Sequence, residues 1–457
     1  MEKAYHFVGI GGIGMSAIAL LLLRRGIRVS GSDVKESKIT KELKGLGAQI
    51  YIGHDPENIK EAKIIIYSSA IKEDNPEIQE ARKKGLALIK RAQALVYLMQ
   101  DKTVITITGS HGKTTTASLV SYLLLEAGLE PSIAIGGILR NIDSNALLGQ
   151  GNFFVAEADE SDGSFLYFRP KYSIITNIDR EHLDYYLTFE NELSAFKEFI
   201  NRTKKEGCLF GCADDINVRN MLKDYKNKYI LFGLNPGSDI YPENIRFNGL
   251  ASEFDCYVKN KFIDRFYLSL GGEHNISNSL SVIALGLELN IDLGIIKRCL
   301  ANYKGAHRRL ETKSDSGGPM IIDDYAHHPQ EIRETLKAVK NLKRKRIIAI
   351  FQPHRYTRTK LLLNEFGRCF DFADCVVITD IYAAGESPIE GISATNICDE
   401  IKKNPGHPEI SFLAKEDIVA HVLGIIKPDD LVITLGAGDI TKICDELVEK
   451  LKRQGSS

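Results

Sequence analysis

Short apolar runs alternate with amphipathic stretches along most of the chain, a pattern that predicts a β/α succession rather than a helical bundle or an all-β fold. In the first hundred residues strands are expected at 5–10, 28–31, 63–68 and 86–89. A charged helical stretch over 91–101 then leads into a new strand at 103–108. Further strands are expected at 153–156 and 172–176, followed by a β-rich stretch over 229–270 and a helix over 275–289. A third series opens after Leu310, with strands at 320–323, 346–351, 375–379 and 431–435. The succession restarts twice, so the expected fold class is α/β in three domains, at 1–100, 101–306 and 307–457.

Two of the strand-to-helix junctions carry glycine loops. Gly9, Gly11 and Gly14 fit G-x-G-x-x-G after the first strand, and Asp33 lies where a dinucleotide fold places its ribose-binding acid. Such a loop brings a diphosphate close to backbone N–H groups at a helix N-terminus, so it specifies a diphosphate better than it specifies NAD. The first domain therefore reads as Rossmann-like. The second loop, Thr108-Gly109-Ser110-His111-Gly112-Lys113-Thr114-Thr115-Thr116, stands between a strand and a helix expected to run to about Ala127. It has the form of a compact P-loop, with two residues rather than four between its glycines. Lys113 would meet the β- and γ-phosphates of ATP, and the Thr114 hydroxyl would hold Mg²⁺. The central domain thus reads as a P-loop ATPase-type domain. A third candidate, Gly436-Ala437-Gly438-Asp439, lacks a lysine and reads as a plain strand-to-helix turn.

Composition narrows the picture further. Lys plus Arg (59) nearly cancel Asp plus Glu (60), so no global field points to nucleic acid or to an anionic membrane. No early apolar run approaches the ~20 residues of a membrane span, and the expectation is a cytoplasmic enzyme. The eight cysteines are scattered, with only Cys208 and Cys212 close together, and read as buried free thiols.

Polar clusters follow several strands, where α/β folds place their ligand sites. Glu157-Ala-Asp159-Glu160-Ser-Asp162 offers carboxylates for Mg²⁺, with Glu157 first in line and a solvated loop an equal reading for Asp159, Glu160 and Asp162. Asn177-Ile-Asp179-Arg180-Glu181-His182 follows the next strand. Asn275 and Asn278 lie one turn apart at a helix start, and Arg308 and Arg309 stand at the second boundary. Asp324-Tyr325-Ala-His327-His328-Pro329 and His354-Arg355-Tyr-Thr-Arg358 complete the set, the latter with two guanidinium forks suited to a carboxylate.

Taken with His6-Phe-Val-Gly-Ile-Gly-Gly-Ile-Gly-Met15, Ser68-Ser-Ala-Ile71, Asn75-Pro-Glu77 and Phe351-Gln-Pro-His-Arg-Tyr-Thr-Arg358, these motifs resemble the Mur ligases of bacterial cell-wall synthesis over nearly the whole chain. The resemblance is nearest to the branch that joins L-alanine to UDP-N-acetylmuramate. It implies a UDP-sugar site on Gly11, Gly12, Gly14, Asp33, Ser68 and Ser69 in the first domain. It implies an ATP site on Gly109, Ser110, His111, Gly112, Lys113, Thr114, Thr115, Asn275, Asn278 and Asp324, and metal ligands Thr114, Glu157 and His182. The amino acid would lie on Tyr325, His354, Arg355 and Arg358 of a Rossmann-like C-terminal domain, and Lys113, His182 and Arg309 would be catalytic. The expected cofactors are ATP and Mg²⁺. The expected partners are the two small substrates, with no nucleic acid and no membrane, on a monomer or weak homodimer. A lysine such as Lys197, carbamylated in other branches, is left outside the site.

Two readings from other classes compete. An NAD-dependent oxidoreductase would use Gly9 to Gly14 and Asp33 but leaves the Lys113 loop without a task. A P-loop NTPase driving motion or assembly lacks an evident arginine finger.

Overall fold

The computed structural model describes residues 4–68, 71–315 and 317–454, and the element counts below are of these residues. Ser69 lies outside them. Three sheets follow one another along the chain. The first holds β1 (Ala4–Val8), β2 (Arg28–Asp33), β3 (Gln49–Ile52), β4 (Ile64–Tyr67) and β5 (Ala87–Lys90). All pairings are parallel, in the order β3-β2-β1-β4-β5. The order reverses at β1, so the crevice of the sheet opens beyond Val8, where the first glycine loop begins.

The second sheet has ten strands: β6 (Thr103–Thr108), β7 (Ser132–Leu139), β8 (Ser144–Leu147), β9 (Phe153–Glu157), β10 (Tyr172–Ile175), β11 (Cys208–Cys212), β12 (Tyr229–Phe232), β13 (Ile240–Asn248), β14 (Ala251–Val258) and β15 (Lys261–Leu268). Their order is β15-β14-β13-β12-β11-β10-β6-β9-β7-β8, and the sheet is mixed, since β8 runs antiparallel to β7. β6 is parallel to both β10 and β9. Its carboxyl end, which carries the second glycine loop, therefore has the polar segments after β9 and after β10 on either side.

The third sheet comprises β16 (Glu311–Ser314), β17 (Met320–Asp324), β18 (Ile347–Phe351), β19 (Cys375–Ile378), β20 (Glu409–Phe412) and β21 (Leu431–Leu435), in the order β16-β17-β21-β18-β19-β20. Only the edge strand β16 is antiparallel to its neighbour. Strands β17, β18 and β21 are buried along their whole length, as strands covered by helices on both faces must be.

The chain forms two compact units, one of Met1–Asn244, Phe254–Phe266 and Ser277–Lys304, the other of Ile245–Glu253, Tyr267–Ile276 and Gly305–Ser457. Within the first unit, Phe7, Ile18 and Leu21 share one apolar cluster with Phe154, Phe165, Phe196 and Phe199. The helix Ile13–Arg24 is the bridge, buried from Met15 to Leu22, and this continuous core ties the first glycine loop to the second sheet. All eight cysteines are free and buried, as the sequence led us to expect. Among the described residues no helix is long and apolar enough to cross a membrane.

A polar network pins the crevice of the first sheet. Glu77, in the first turn of the helix Pro76–Lys83, is fully buried and accepts hydrogen bonds from Ser32 Oγ at 2.6 Å and Asn58 Nδ2 at 2.6 Å. His6 Nε2 lies 3.3 Å away. Burial opposes the charge, but His6, Ser32 and Asn58 outweigh it and hold the carboxyl below its ordinary range. Removing one member of such a buried charged cluster costs about 3–5 kcal/mol. Glu77→Ala should therefore lower the unfolding free energy, read from the urea transition that reports the first unit, by an amount in that range. A loss under about 1 kcal/mol would show that the network is solvated rather than structural.

Candidate active site

The second glycine loop is shaped by contacts that leave no room for a side chain at its glycines. Gly109 has φ +125°, and a Cβ there would fall 2.3 Å from Thr176 Oγ1 and 2.7 Å from the Asn177 carbonyl. Gly112 has φ +82° and caps the helix Lys113–Glu126, with a Cβ position 2.7 Å from Asn278 Oδ1. The segment after β10 braces the turn from outside. Asn177 Oδ1 accepts from the His111 amide at 2.8 Å, and the Asp179 amide donates to Ser110 Oγ at 2.8 Å. His111 Nε2 also lies 3.2 Å from Asp179 Oδ2. The first amides of the helix, including those of Thr114 and Thr115, have no partner within the helix and carry its positive dipole end.

Lys113 reaches back over the loop, donating to the Ser110 carbonyl at 3.1 Å and to the Gly109 carbonyl. Its main partner is Glu160, at 2.6 Å, whose side chain is fully buried. Burial works against both charges. The Glu160 and Asp159 carboxylates nevertheless hold the Lys113 ammonium above its usual range, and Lys113 holds Glu160 below its own. Glu160 is thus no solvated loop residue. Tyr186 donates to its carbonyl, and Thr108 Oγ1 lies 3.5 Å from its carboxylate.

The predicted metal ligands fall in two groups. Thr114 Oγ1 donates to Glu157 Oε2 at 3.2 Å, and the other oxygen of Glu157 accepts from the Gly136 amide on β7 at 2.6 Å. Glu157 is the last residue of β9 rather than the first beyond it. His182, in the left-handed region at φ +57°, turns its imidazole to Glu160 at 3.6 Å and Glu181 at 3.7 Å. Glu160, Glu181 and His182 offer ligand atoms within 4.8 Å of one another. A hydroxyl with a carboxylate suits Mg²⁺, and the second group mixes oxygen with nitrogen.

In the first sheet, the Gly11 amide is held by Asp33 Oδ2 at 2.8 Å, so Asp33 closes on the loop itself. Gly12 caps the helix Ile13–Arg24. Close to Gly14 lies Arg91, whose guanidinium stands 2.7 Å from the position of a Gly14 Cβ and 3.0 Å from Asp159 Oδ2. Burial raises the Asp159 carboxyl, but Arg91 and Lys113 overcome this and bring it down to about 2. Gly12, Gly14, Ser68, Arg91, Lys113 and Glu157 line a single cavity of about 350 Å³. Both glycine loops therefore face one space, within one compact unit.

The second unit carries its own cluster. Asp324 is buried and uses both oxygens, accepting from the Leu310 amide at 2.6 Å and the Ala326 amide at 2.8 Å. Burial raises its carboxyl to about 6, against the pull of Arg309. Arg308 and Arg309 both lie over the Tyr325 ring, 5.1 Å from its centroid. Tyr325 meets His327 edge-on at 5.4 Å, and His327 meets His354 at 5.6 Å. Arg358 donates to the His354 carbonyl at 3.2 Å, its guanidinium also 3.2 Å from His354 Nδ1. Burial, then Arg358 and Arg355, push His354 down to about 4. Two of the remaining predicted site residues are spent locally or stand apart: Asn275 donates its side-chain amide to the Gly271 carbonyl at 2.8 Å, whereas Asn278 faces Gly112.

Three family models match in succession: the Mur ligase family, catalytic domain over residues 4–103, the Mur ligase middle domain over 107–286, and the Mur ligase, glutamate ligase domain over 308–438. The chain belongs to the Mur ligase family. It is similar to the UDP-N-acetylmuramate–L-alanine ligase of Geotalea uraniireducens, 44% identical over 448 residues that cover 98% of each chain. The corresponding ligase of Desulfatibacillum aliphaticivorans is 45% identical over 97% of each chain. Among solved structures, the UDP-N-acetylmuramate–alanine ligase of Thermotoga maritima superposes with a TM-score of 0.86 at 29% identity, covering 99% of each chain. A MurF ligase of the same organism, solved in complex with ADP, shares the fold at a TM-score of 0.64 and 18% identity, covering 93% of this chain and 96% of its own.

One residue lining this Mur ligase's cavity escaped the sequence reading, Arg91, and Glu160, an even-odds candidate in the sequence, proves to be the partner of Lys113. Glu192, also unanticipated, lies in the helix Phe189–Arg202, fully buried, with neither carboxylate oxygen in hydrogen-bond range of a partner. Burial raises its carboxyl to about 8, and Glu160 and Glu181 push the same way against His182. An unfolded glutamate ionises near pH 4.3, so between that pH and about 8 the folded chain binds the extra proton and stability falls as pH rises. Glu192→Gln removes this dependence. Its melting temperature should exceed wild type by a margin that widens from about pH 5 to about pH 8.5, and a margin constant across that range would refute the assignment.

Proposed function

We propose that this Mur ligase is the ATP-dependent enzyme that joins L-alanine to the lactyl carboxylate of UDP-N-acetylmuramate, in the cytoplasm, with release of ADP and phosphate. The observation that carries the reading is the single cavity shared by a diphosphate loop and an ATP loop, with Lys113 and Arg91 in its wall. The names of relatives at 44–45% identity over nearly the whole chain supply the substrates.

In this reading the sugar nucleotide's diphosphate lies on Gly11, Gly12 and Gly14 beside Asp33 and Ser68. The ATP phosphates lie over Gly109–Thr115, with Asn275, Asn278 and Asp324 serving the nucleotide. The lactyl carboxylate attacks the γ-phosphorus, the bond to the bridging oxygen of ADP breaks, and an acyl phosphate forms. Two anions must approach, and at about 4 Å and an effective dielectric near 20 their repulsion is about 4 kcal/mol. Lys113 and Arg91, parked on Glu160 and Asp159, are the cations placed to offset it by exchanging those carboxylates for substrate oxygens. Thr114 and Glu157 would hold Mg²⁺, with His182 on the side of Glu160 and Glu181, and the ion would supply Lewis-acid neutralisation of the phosphates. In the C-terminal domain, Arg355 and Arg358 clamp the alanine carboxylate beside Tyr325 and His354, and Arg309 adds positive charge near the reacting groups. The neutral amine of alanine then attacks the acyl carbon, the bond to phosphate breaks, and the nitrogen gives up its extra proton to the departing phosphate to leave the amide.

Phosphate release should require ATP, UDP-N-acetylmuramate and L-alanine together. Release without the sugar nucleotide would favour an uncoupled NTPase. Lys113→Ala should lower alanine-dependent turnover by more than about 10³-fold, the scale of losing a principal phosphate-charge partner. Arg358→Ala should raise the KM for alanine at least about tenfold while leaving that for ATP near wild type. Equal increases for both substrates would remove the carboxylate clamp from the scheme.

A further inference from the structure

The segment after β19, from Asp380 to Glu386, belongs to none of the sequence motifs, yet it holds the start of the helix Tyr356–Leu361 at two points. The Tyr382 amide donates to the Pro353 carbonyl at 2.8 Å, and the Arg355 amide donates to the Tyr382 carbonyl at 2.9 Å. Glu386 accepts from the Thr357 amide at 3.1 Å and from Thr357 Oγ1 at 2.6 Å. Between these anchors Arg355 adopts φ +74°, a conformation that an arginine keeps only when its surroundings impose it.

The side chain of Tyr382 does a second thing. Its ring stacks on His354 with centroids 5.7 Å apart and an interplanar angle of 12°. His327 closes the adjacent side of His354 edge-on, and Arg358 holds its carbonyl. Tyr382 itself cannot retreat, because it packs on Gly438, where even a Cβ would fall 2.7 Å from its Cγ. The rings Tyr325, His327, His354 and Tyr382 thus form one continuous wall beside the two arginines, and its last member fixes the one before.

We propose that Tyr382 is a positioning residue that, by pressing His354 into this wall, limits the space beside the carboxylate clamp and so restricts the amino acid to a small side chain. The inference rests on the proposed alanine-ligase reading and adds the determinant of its selectivity. An amino acid whose carboxylate lies on Arg358 is within one residue's length of His354, since the guanidinium is 3.2 Å from that ring. With Tyr382 removed, His354 gains a direction to swing, and longer side chains gain room.

The test compares L-alanine with L-2-aminobutyrate as acceptors for the full-length enzyme, its Tyr382→Phe and its Tyr382→Ala variants, with ATP and UDP-N-acetylmuramate saturating. One methylene is worth about 10–200-fold in kcat/KM in a fitted pocket. Tyr382→Phe keeps the stack and should keep the wild-type ratio. Tyr382→Ala should reduce the preference for alanine at least about tenfold and raise the KM for alanine, with the KM for ATP unchanged. If Tyr382→Ala does not fold, Tyr382→Leu, which keeps an apolar side chain over Gly438 but is smaller than the ring and leaves His354 unstacked, takes its place with the same expectation in direction. A ratio within about twofold of wild type in a folded variant, or a parallel rise in the KM for ATP, overturns the proposal. Wild-type turnover with L-alanine is the separate control, since its absence would remove the alanine-ligase reading itself.

Discussion

The buried ion pair between Lys113 and Glu160 is the interaction on which the site depends. Neither partner is tolerable alone at that depth, and together they draw the segment after β9 onto the loop after β6. The same carboxylate group collects His182 from the segment after β10, so three strand ends converge on one charge. A lysine held in this way is charged, largely buried and aimed across the loop. On the proposed reading it trades an internal anion for an external one, so most of the cost of desolvating the ammonium has been met during folding rather than during binding.

The same logic recurs at Arg91. Its partner Asp159 lies two residues beyond Glu157 and one before Glu160, so one short segment supplies a carboxylate to the Thr114 hydroxyl, a counter-ion to the arginine and a counter-ion to the lysine. The aromatic core between the helix Ile13–Arg24 and the helix Phe189–Arg202 keeps these ends in register. The cavity is then a product of packing: both glycine loops open onto it because the first sheet and the second bury their apolar faces in one cluster.

How much of this could be read in the sequence follows from what each feature needs. The strands β6 and β21 matched their expected limits, and most others lay within a residue or two, because their apolar runs are dense and bounded by glycine or polar residues. Strands β3, β8, β11, β16 and β20 were not anticipated. All but β11 are four residues long and lie at a sheet edge, so no hydrophobic period marks them; β11 is buried throughout, but Gly211 and its two cysteines break up its short apolar run. β7 was hidden by its paired glycines, Gly136 and Gly137, the first of which gives its amide to Glu157. The glycine loops were legible because a positive φ and a close neighbour leave glycine alone as the solution. Arg91 was not, and Glu160 was legible only as one of several candidate acids, since each gains its meaning from a partner dozens of residues away. Glu160 in particular sits in a run of acids for which a solvated loop and a metal carboxylate read equally well until Tyr186 and Lys113 enclose it. The C-terminal arginines were legible as a pair, but the Tyr382 segment that sets their backbone was not, because stacking on His354 leaves no trace in local pattern.

The bond from the Gly11 amide to Asp33 has a further meaning for traffic through the first glycine loop. That amide is already satisfied by an anion belonging to the chain, so an incoming ligand on it is an exchanger rather than a first occupant. A group with a single diffuse charge gains little by evicting a carboxylate held at 2.8 Å. A diphosphate, which can grasp several amides at once, gains more. On the proposed reading the loop would therefore act as a threshold, yielding to a multidentate diphosphate in preference to the small anions around it.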